Sequence, residues 1–159
     1  MLAMKTFFTT YKTLFILFAY LGGASALFYG LTERNPMPFL MGLFFITFSF
    51  FKVIHLTKFV ASFKRYDLFA RHLPFYAWLY PFIEIILGVL FLSNTWLMEA
   101  SMITIIVLTA TNIGVAQRLR QGAVIECACL GVVFGLPLSN VTLLENTVMI
   151  IMGVMQLWP

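Results

Sequence analysis

The sequence predicts an all-α integral membrane protein with five transmembrane helices, and three observations carry that expectation. Of 159 residues, 62 % are hydrophobic and 10 % charged, against about 25 % charged in an average soluble chain. Apolar runs long enough to cross about 30 Å of hydrocarbon recur along the chain, separated by short polar turns. Eighteen Phe and nine Met are spread over the whole length rather than gathered in one anchor. A single transmembrane domain over 1–159 follows, with the lipid bilayer as its main partner. The net charge of +4 comes without a dense basic patch or a basic–aromatic repeat, which argues against nucleic acid.

The first span is expected over residues 11–31, after Lys5 and around Lys12. Ala24-Ser25-Ala26 has the small-x-small form of a signal-peptide cleavage site, but apolar sequence continues beyond it to Leu31, which favours a retained span. Gly22, Ala26 and Gly30 fall four apart, as do Ala19 and Gly23, a spacing that lets helices approach closely or that reflects the ordinary tolerance of Gly in a span. Residues 32–36, with Glu33, Arg34, Asn35 and Pro36, read as a turn.

The second span is expected over 38–60, continuing as helix towards Phe63, with Lys52, His55, Phe59 and Phe63 on one face. Lys64, Arg65, Asp67, Arg71 and His72 form the most charged loop. The third span, 75–92, repeats Tyr76, Tyr80, Glu84 and Gly88 at i, i+4 steps, and Pro81 should kink it or open its backbone. The fourth, 98–116, carries Ser101, Thr104, Thr111 and Asn112 on roughly one side, where they can hydrogen-bond between helices. Residues 121–139 are apolar but broken by Gly131, Gly135 and Pro137; they read as a loop packed into the protein, partly re-entrant. The last span is expected over 140–158.

With five spans the chain ends lie on opposite sides. Lys5, Lys12, Lys58, Lys64, Arg65, Arg71, Arg118 and Arg120 then share one side, and Arg34 falls on the other. The positive-inside rule puts the amino terminus and the loop 121–139 in the cytoplasm and the carboxyl terminus outside, with Trp96 and Trp158 at the outer interface.

The chemistry should converge on Glu126-Cys127-Ala128-Cys129-Leu130-Gly131, which holds the only two cysteines. Two thiols one residue apart can close a strained, easily reduced disulfide or hold one soft metal ion such as Cu(I) or Hg(II), with Arg118 and Arg120 nearby to favour thiolates. The bland alternative is a pair of buried thiols acting as small hydrophobes. Spacing alone does not choose. Cys-x-Cys differs from the Cys-x-x-Cys of thioredoxin-like proteins and falls short of a four-ligand zinc site. Glu126 is a further candidate beside the thiols.

Lys52, Glu84 and Glu145 are ionisable residues inside apolar sequence, each costing about 3 kcal/mol at the centre of a span. Each must pair, protonate or face a cavity. Lys52 sits late in the second span and Glu84 midway along the antiparallel third, so a buried pair is geometrically reasonable; otherwise Lys52 snorkels and Glu84 is protonated. Thr142-Leu143-Leu144-Glu145 fits a helix capping box. The competing reading makes Glu145 a proton carrier or ligand beside Cys127 and Cys129. Lone His55 reads as an interfacial or core histidine, and Met149, Met152 and Met155 as filler rather than copper ligands. Tyr80 and Asn112 are secondary candidates.

A family resemblance rests on Cys127-Ala128-Cys129-Leu130-Gly131, Leu136-Pro137-Leu138-Ser139, Val141-Thr142-Leu143 and Glu145-Asn146. Upstream it includes Phe51-Lys52-Val53, Phe59, Phe63, Tyr66-Asp67, Ala70, Tyr80-Pro81, Glu84 and Gly88. In this order and spacing the chain, over residues 42–152, resembles the MauE-type membrane proteins, relatives of the DoxX group. The resemblance implies a DoxX-like four-helix bundle plus an extra amino-terminal helix, in the bacterial inner membrane. It also implies a role in methylamine utilisation: maturation and disulfide formation in the small subunit of a periplasmic amine dehydrogenase.

Two functional readings stand at this point. In the first, Cys127 and Cys129 exchange electrons with a thioredoxin- or glutaredoxin-like protein or a small carrier, with Glu145 as the proton carrier. In the second, the same thiols serve a soft-metal transporter or metal-handing protein that meets a metallochaperone. A third reading is an assembly factor without chemistry, whose bundle docks a partner. The cofactor candidates are therefore Cu(I) or Hg(II), and a quinone, for which the sequence offers no site. No Ser/His/Asp set, phosphate loop or zinc-protease motif supports a hydrolase or nucleotide enzyme.

Overall fold

A computed structural model describes residues 2–122 and 139–158, and every regular element among them is an α-helix. Helix α1 runs Leu2–Thr32, α2 Pro36–Ile54, α3 Leu56–Tyr66, α4 Leu68–His72, α5 Pro74–Leu92, α6 Leu97–Arg120 and α7 Ser139–Leu157. Four of them contain stretches long and apolar enough to cross a membrane: Phe15–Thr32, Pro36–Ile54, Pro74–Leu92 and Leu97–Arg120. A shorter apolar stretch, Thr142–Leu157, lies in α7, whose 19 residues span about 28 Å at 1.5 Å each. The chain is an all-α, multi-pass membrane protein.

Glycines let α2 and α5 meet backbone to backbone. A Cβ on Gly42 would come within 2.8 Å of the Gly88 carbonyl oxygen and 2.9 Å of Leu92 N. Further along, Phe45 stacks on Phe91, Ile46 covers Gly88, and Ser49 and Lys52 reach Glu84. Rising numbers on α2 meet falling numbers on α5, so the pair is antiparallel. In the same way Asn112 bonds Thr147, and Gly153 packs on Ser101 and Ile105, which makes α6 and α7 antiparallel. Hence α6 ends and α7 begins at one end of the bundle.

That end is built on a bend. The helix expected to continue from α2 to Phe63 is interrupted at His55, whose φ of −117° and ψ of 40° are not helical. The reason lies in the change of pattern: α2 is apolar around its circumference, whereas α3 buries only Phe59, Val60, Phe63 and Tyr66 and exposes Lys58 and Arg65. A new direction points that stripe inward and leaves the cations outside. Asp67 then caps α4, its Oδ1 accepting from the Phe69 and Ala70 N–H groups at 2.9 Å, as a short acidic cap should.

The other turns follow sequence signals. The Asn35 side chain caps α2 by accepting from Met37 N–H at 3.0 Å, with Pro36 at the first helical position. Helix α5 runs unbroken through Pro81, whose missing N–H leaves the Ala77 carbonyl without its usual partner. Between α5 and α6, Asn94 and Trp96 adopt positive φ, and Trp96 and Trp158 are both strongly exposed.

Helix α1 is peripheral, with only 11 % of its apolar window buried. It touches α2, where Phe28 stacks on Phe39 with centroids 4.3 Å apart, and it sends Leu21 into the core. Its small residues do not mediate close helix packing: nothing lies within 4 Å of a Cβ built on Gly22, Gly23 or Gly30. The spacing is that of a packing motif, but among the described residues no helix packs closely on these glycines.

A candidate buried ionic site

The site begins with two charges that apolar surroundings force together. Lys52, in the last turn of α2, places Nζ 2.5 Å from the Glu84 carboxylate on α5, and both side chains are buried. Glu84 also accepts from the Ser49 hydroxyl at 3.1 Å. The ammonium lies 4.9 Å from the centre of the Tyr80 ring and 5.6 Å from that of Phe59, so π faces supply part of the solvation that lipid cannot. Lys52 therefore does not snorkel out. Neither charge could stay buried alone without a cost of about 3–5 kcal/mol.

Phe59, Phe63 and Tyr80 pack around the pair, with Phe63 and Tyr80 centroids 4.3 Å apart. The Tyr80 hydroxyl is directed at Thr111 on α6. Thr111 donates to Asp67 Oδ2 at 2.8 Å, which ties the α3–α4 bend to α6. Burial pushes the Asp67 carboxyl above its ordinary value of 3.8, against the lowering effect of the hydrogen bonds from Ala70, Thr111 and Phe69.

Lys52, Tyr80, Glu84 and Thr111 share a cavity of about 30 Å³ with Thr142, Glu145 and Asn146 of α7, a volume for little more than one water molecule. Helix α7 is described from Ser139, so Thr142 is already helical rather than an N-cap. The capping-box reading of Thr142 and Glu145 is thereby overturned. Three more helical residues precede Thr142, and Glu145 is buried, 8 % exposed. Glu145 and Phe44 also line a second, apolar space of about 270 Å³ between α1, α2 and α7.

The structure thus brings Lys52, Glu84, Tyr80 and Glu145 to one cavity. Asn112 stands apart: it is half-buried and donates to Thr147 Oγ1 at 3.2 Å, a bond between α6 and α7. Thr111 likewise bonds across helices, whereas the Ser101 and Thr104 hydroxyls have no partner among the described residues. Cys127, Cys129, Glu126 and nearly all of the expected loop 121–139 lie outside the described residues. Among the described residues no three His, Cys, Asp or Glu side chains could hold a metal ion. Met149 is buried and Met155 exposed, so the methionines of α7 do not converge.

Sequence reasoning assigned no role to Ser49 or Gly114, and marked Asp67 only in the charged loop and the family resemblance and Asn146 only in that resemblance. Ser49 is one helical turn before Lys52, a spacing that could have named it as a partner on the same face. Asp67 ahead of a short run ending in Arg71 and His72 had the form of a capped turn.

A helical membrane bundle with a charge-paired core and an acidic residue from the last helix at its edge defines a class of multi-pass membrane protein. Within that class, the chain belongs to the MauE family: the family model described as methylamine utilisation protein MauE matches residues 36–159. The match begins at the first residue of α2 and leaves α1 outside. No curated protein and no solved structure matches the chain.

Proposed function

We propose that this protein is a membrane thiol-redox protein that uses Cys127 and Cys129 to support disulfide formation in a partner associated with methylamine utilisation, such as a periplasmic amine dehydrogenase subunit. One observation carries the reading. Helix α6 ends and α7 begins at the same end of the bundle, with the thiols between them in sequence, and the first turns of α7 deliver Glu145 and Asn146 to the Lys52–Glu84 cavity. A carboxylate there can take a proton from an attacking thiol and return it to the leaving thiolate as the exchange completes. The reaction is exchange of a dithiol for a disulfide. The partner's two thiols lose two electrons and two protons, and the Cys127–Cys129 disulfide gains them.

The basic residues of this end, among them Lys58, Arg65, Arg71 and Arg118, favour a cytoplasmic location for it in the bacterial inner membrane. Arg118 donates from Nε to the Arg65 carbonyl at 2.8 Å, which gathers the cations at one face. A periplasmic client then requires that electrons pass through the bundle or that the thiols be reached from within it.

The test is differential alkylation of Cys127 and Cys129 in intact cells, with membrane-permeant and impermeant reagents, before and after oxidant. Thiols that cycle between reduced and disulfide-linked forms support the proposal, and reagent access reports the side. Thiols that never oxidise, but hold Cu(I) or Hg(II) tightly, would replace it with the metal-handing reading. Full partner maturation by a Cys127→Ser/Cys129→Ser chain would leave only a docking role.

A further inference from the structure

The two ends of the bundle differ in charge. Where α2 gives way to α3 and α6 stops, Lys58, Arg65, Arg71 and Arg120 are exposed and Arg118 is half-buried. The fold gathers these cations from three helices. Gly114 lets α6 run against the Tyr66 carbonyl, and Arg118 Nε donates to the Arg65 carbonyl at 2.8 Å. The carboxylate in their midst, Asp67, is fully buried and accepts from Thr111, so it does not face the same surface. Among the described residues the exposed acids are Glu33 and Glu99, just before α2 and in the first turn of α6, at the opposite end.

Apolar surface continues from this basic collar. Arg71 and His72 close α4, and Leu73 and Phe75 follow at once, 60 % and 75 % exposed. Along α5, Phe75, Trp78, Leu79 and Phe82 are all exposed at i, i+3, i+4 and i+7, which is one face of a helix. Pro74–Leu92 is long and apolar enough to span, so its first turn marks the depth at which headgroups give way to acyl chains. Cations at headgroup depth therefore adjoin an aromatic stripe at chain depth.

We propose that this surface binds an anionic phospholipid, its phosphate held by the cations of α3, α4 and α6 and an acyl chain laid along Phe75, Trp78 and Phe82. Charge selects the headgroup. A phosphodiester that carries its own ammonium brings no net charge to the collar, whereas phosphatidylglycerol brings one negative charge. The stripe selects a lipid over free phosphate, which has nothing to lay against Phe75 or Trp78. Cations gathered from three helices repel one another, so the bound anion also steadies the α3–α4 bend against α6. None of this depends on the reaction of the thiols.

The experiment uses the full chain with Trp96→Phe and Trp158→Phe, which leaves Trp78 as the one tryptophan, reconstituted in phosphatidylcholine vesicles. Phosphatidylglycerol and phosphatidylcholine with brominated acyl chains are the probes, because bromine quenches an indole only near contact. Trp78, one turn into α5 and 42 % exposed, reads occupancy of the stripe. At equal low mole fraction the brominated phosphatidylglycerol should quench it more strongly. Arg65→Gln and Arg71→Gln, both exposed positions, should each lower the relative affinity by about fivefold, and the double change should bring the two lipids close to equal. Arg34→Gln, an exposed cation at the opposite end, should leave the preference unchanged. Quenching by brominated phosphatidylcholine that persists in every variant confirms insertion and folding. Equal quenching by the two lipids in the parent, or a preference that survives Arg65→Gln/Arg71→Gln, would overturn the site. An equal fall in Arg34→Gln would replace it with the overall charge of the chain. Loss of the preference on adding inorganic phosphate at constant ionic strength would make free phosphate the ligand and likewise defeat the proposal.

Discussion

The backbone of α6 at Gly114 runs directly against the Tyr66 carbonyl: a Cβ on Gly114 would stand 1.9 Å from that oxygen and 3.2 Å from the Asp67 Cα. Both obstacles are main chain, so neither can rotate away. Gly114→Ala should force α6 off the α3–α4 bend, breaking the Thr111–Asp67 bond with it, and destabilise the fold by about 3 kcal/mol. A large fall in detergent melting temperature would show this; an unchanged melt would mean that the helices have room to part.

A paired comparison tests the contact of α2 with α5. Gly42→Ala places a methyl 2.8 Å from the Gly88 carbonyl oxygen and should cost about 1–3 kcal/mol. Gly30→Ala meets open space and should be neutral or stabilise α1 by up to about 1 kcal/mol through helix propensity. Equal melting temperatures for the two would contradict the close approach.

The ion pair predicts strong coupling. Lys52→Met leaves Glu84 without its cation, and Glu84→Gln leaves Lys52 without its anion; each should cost about 3–5 kcal/mol. The double change Lys52→Met/Glu84→Leu removes both buried charges and should recover most of that loss. Additive losses in a double-mutant cycle would show that the two side chains do not depend on one another.

Asp67 gives a pH dependence with a definite sign. Burial raises its carboxyl above 3.8, so the folded chain holds this proton more tightly than the unfolded one. The resulting stabilisation is complete below pH 3.8 and is lost as pH rises through the higher folded value. Asp67→Asn keeps an oxygen for the Phe69 and Ala70 N–H groups and removes the ionisation. Its melting temperature should lose this slope and, at neutral pH, equal or exceed that of the parent. Asp67→Ala removes the cap and the Thr111 acceptor together and should cost about 1–3 kcal/mol. A Thr111→Val change, which takes away one donor alone, should cost less than Asp67→Ala.

What could be read from the sequence was whatever lipid penalises. The long apolar runs had few alternatives to spanning helices, and the meeting of Lys52 with Glu84 follows from two costly charges on adjacent antiparallel helices. The interruption at His55 had no such signature, because neither Gly nor Pro marks it. It emerges only when the stripe Phe59, Val60, Phe63 and Tyr66 must turn inward while α2 stays buried. Thr142 to Glu145 misled because a capping box is four residues long, and helix already present from Ser139 changes its meaning entirely. Gly22 and Gly30 misled for a related reason: their spacing permits an approach but cannot supply the helix that makes it. Gly114 needed the fold itself, since its obstacle is a carbonyl 48 positions earlier in the chain.

The segregation of α1 from the remaining helices has a consequence for how such proteins can diversify. The ionic centre is assembled from α2, α3, α5, α6 and α7, within the stretch that defines the family, whereas one wall of the lipid-facing opening comes from a segment outside it. Changes to the leading helix can therefore reshape that opening while the charge-bearing frame stays as it is. The opening and the ionic frame thus stand on separable pieces of one chain.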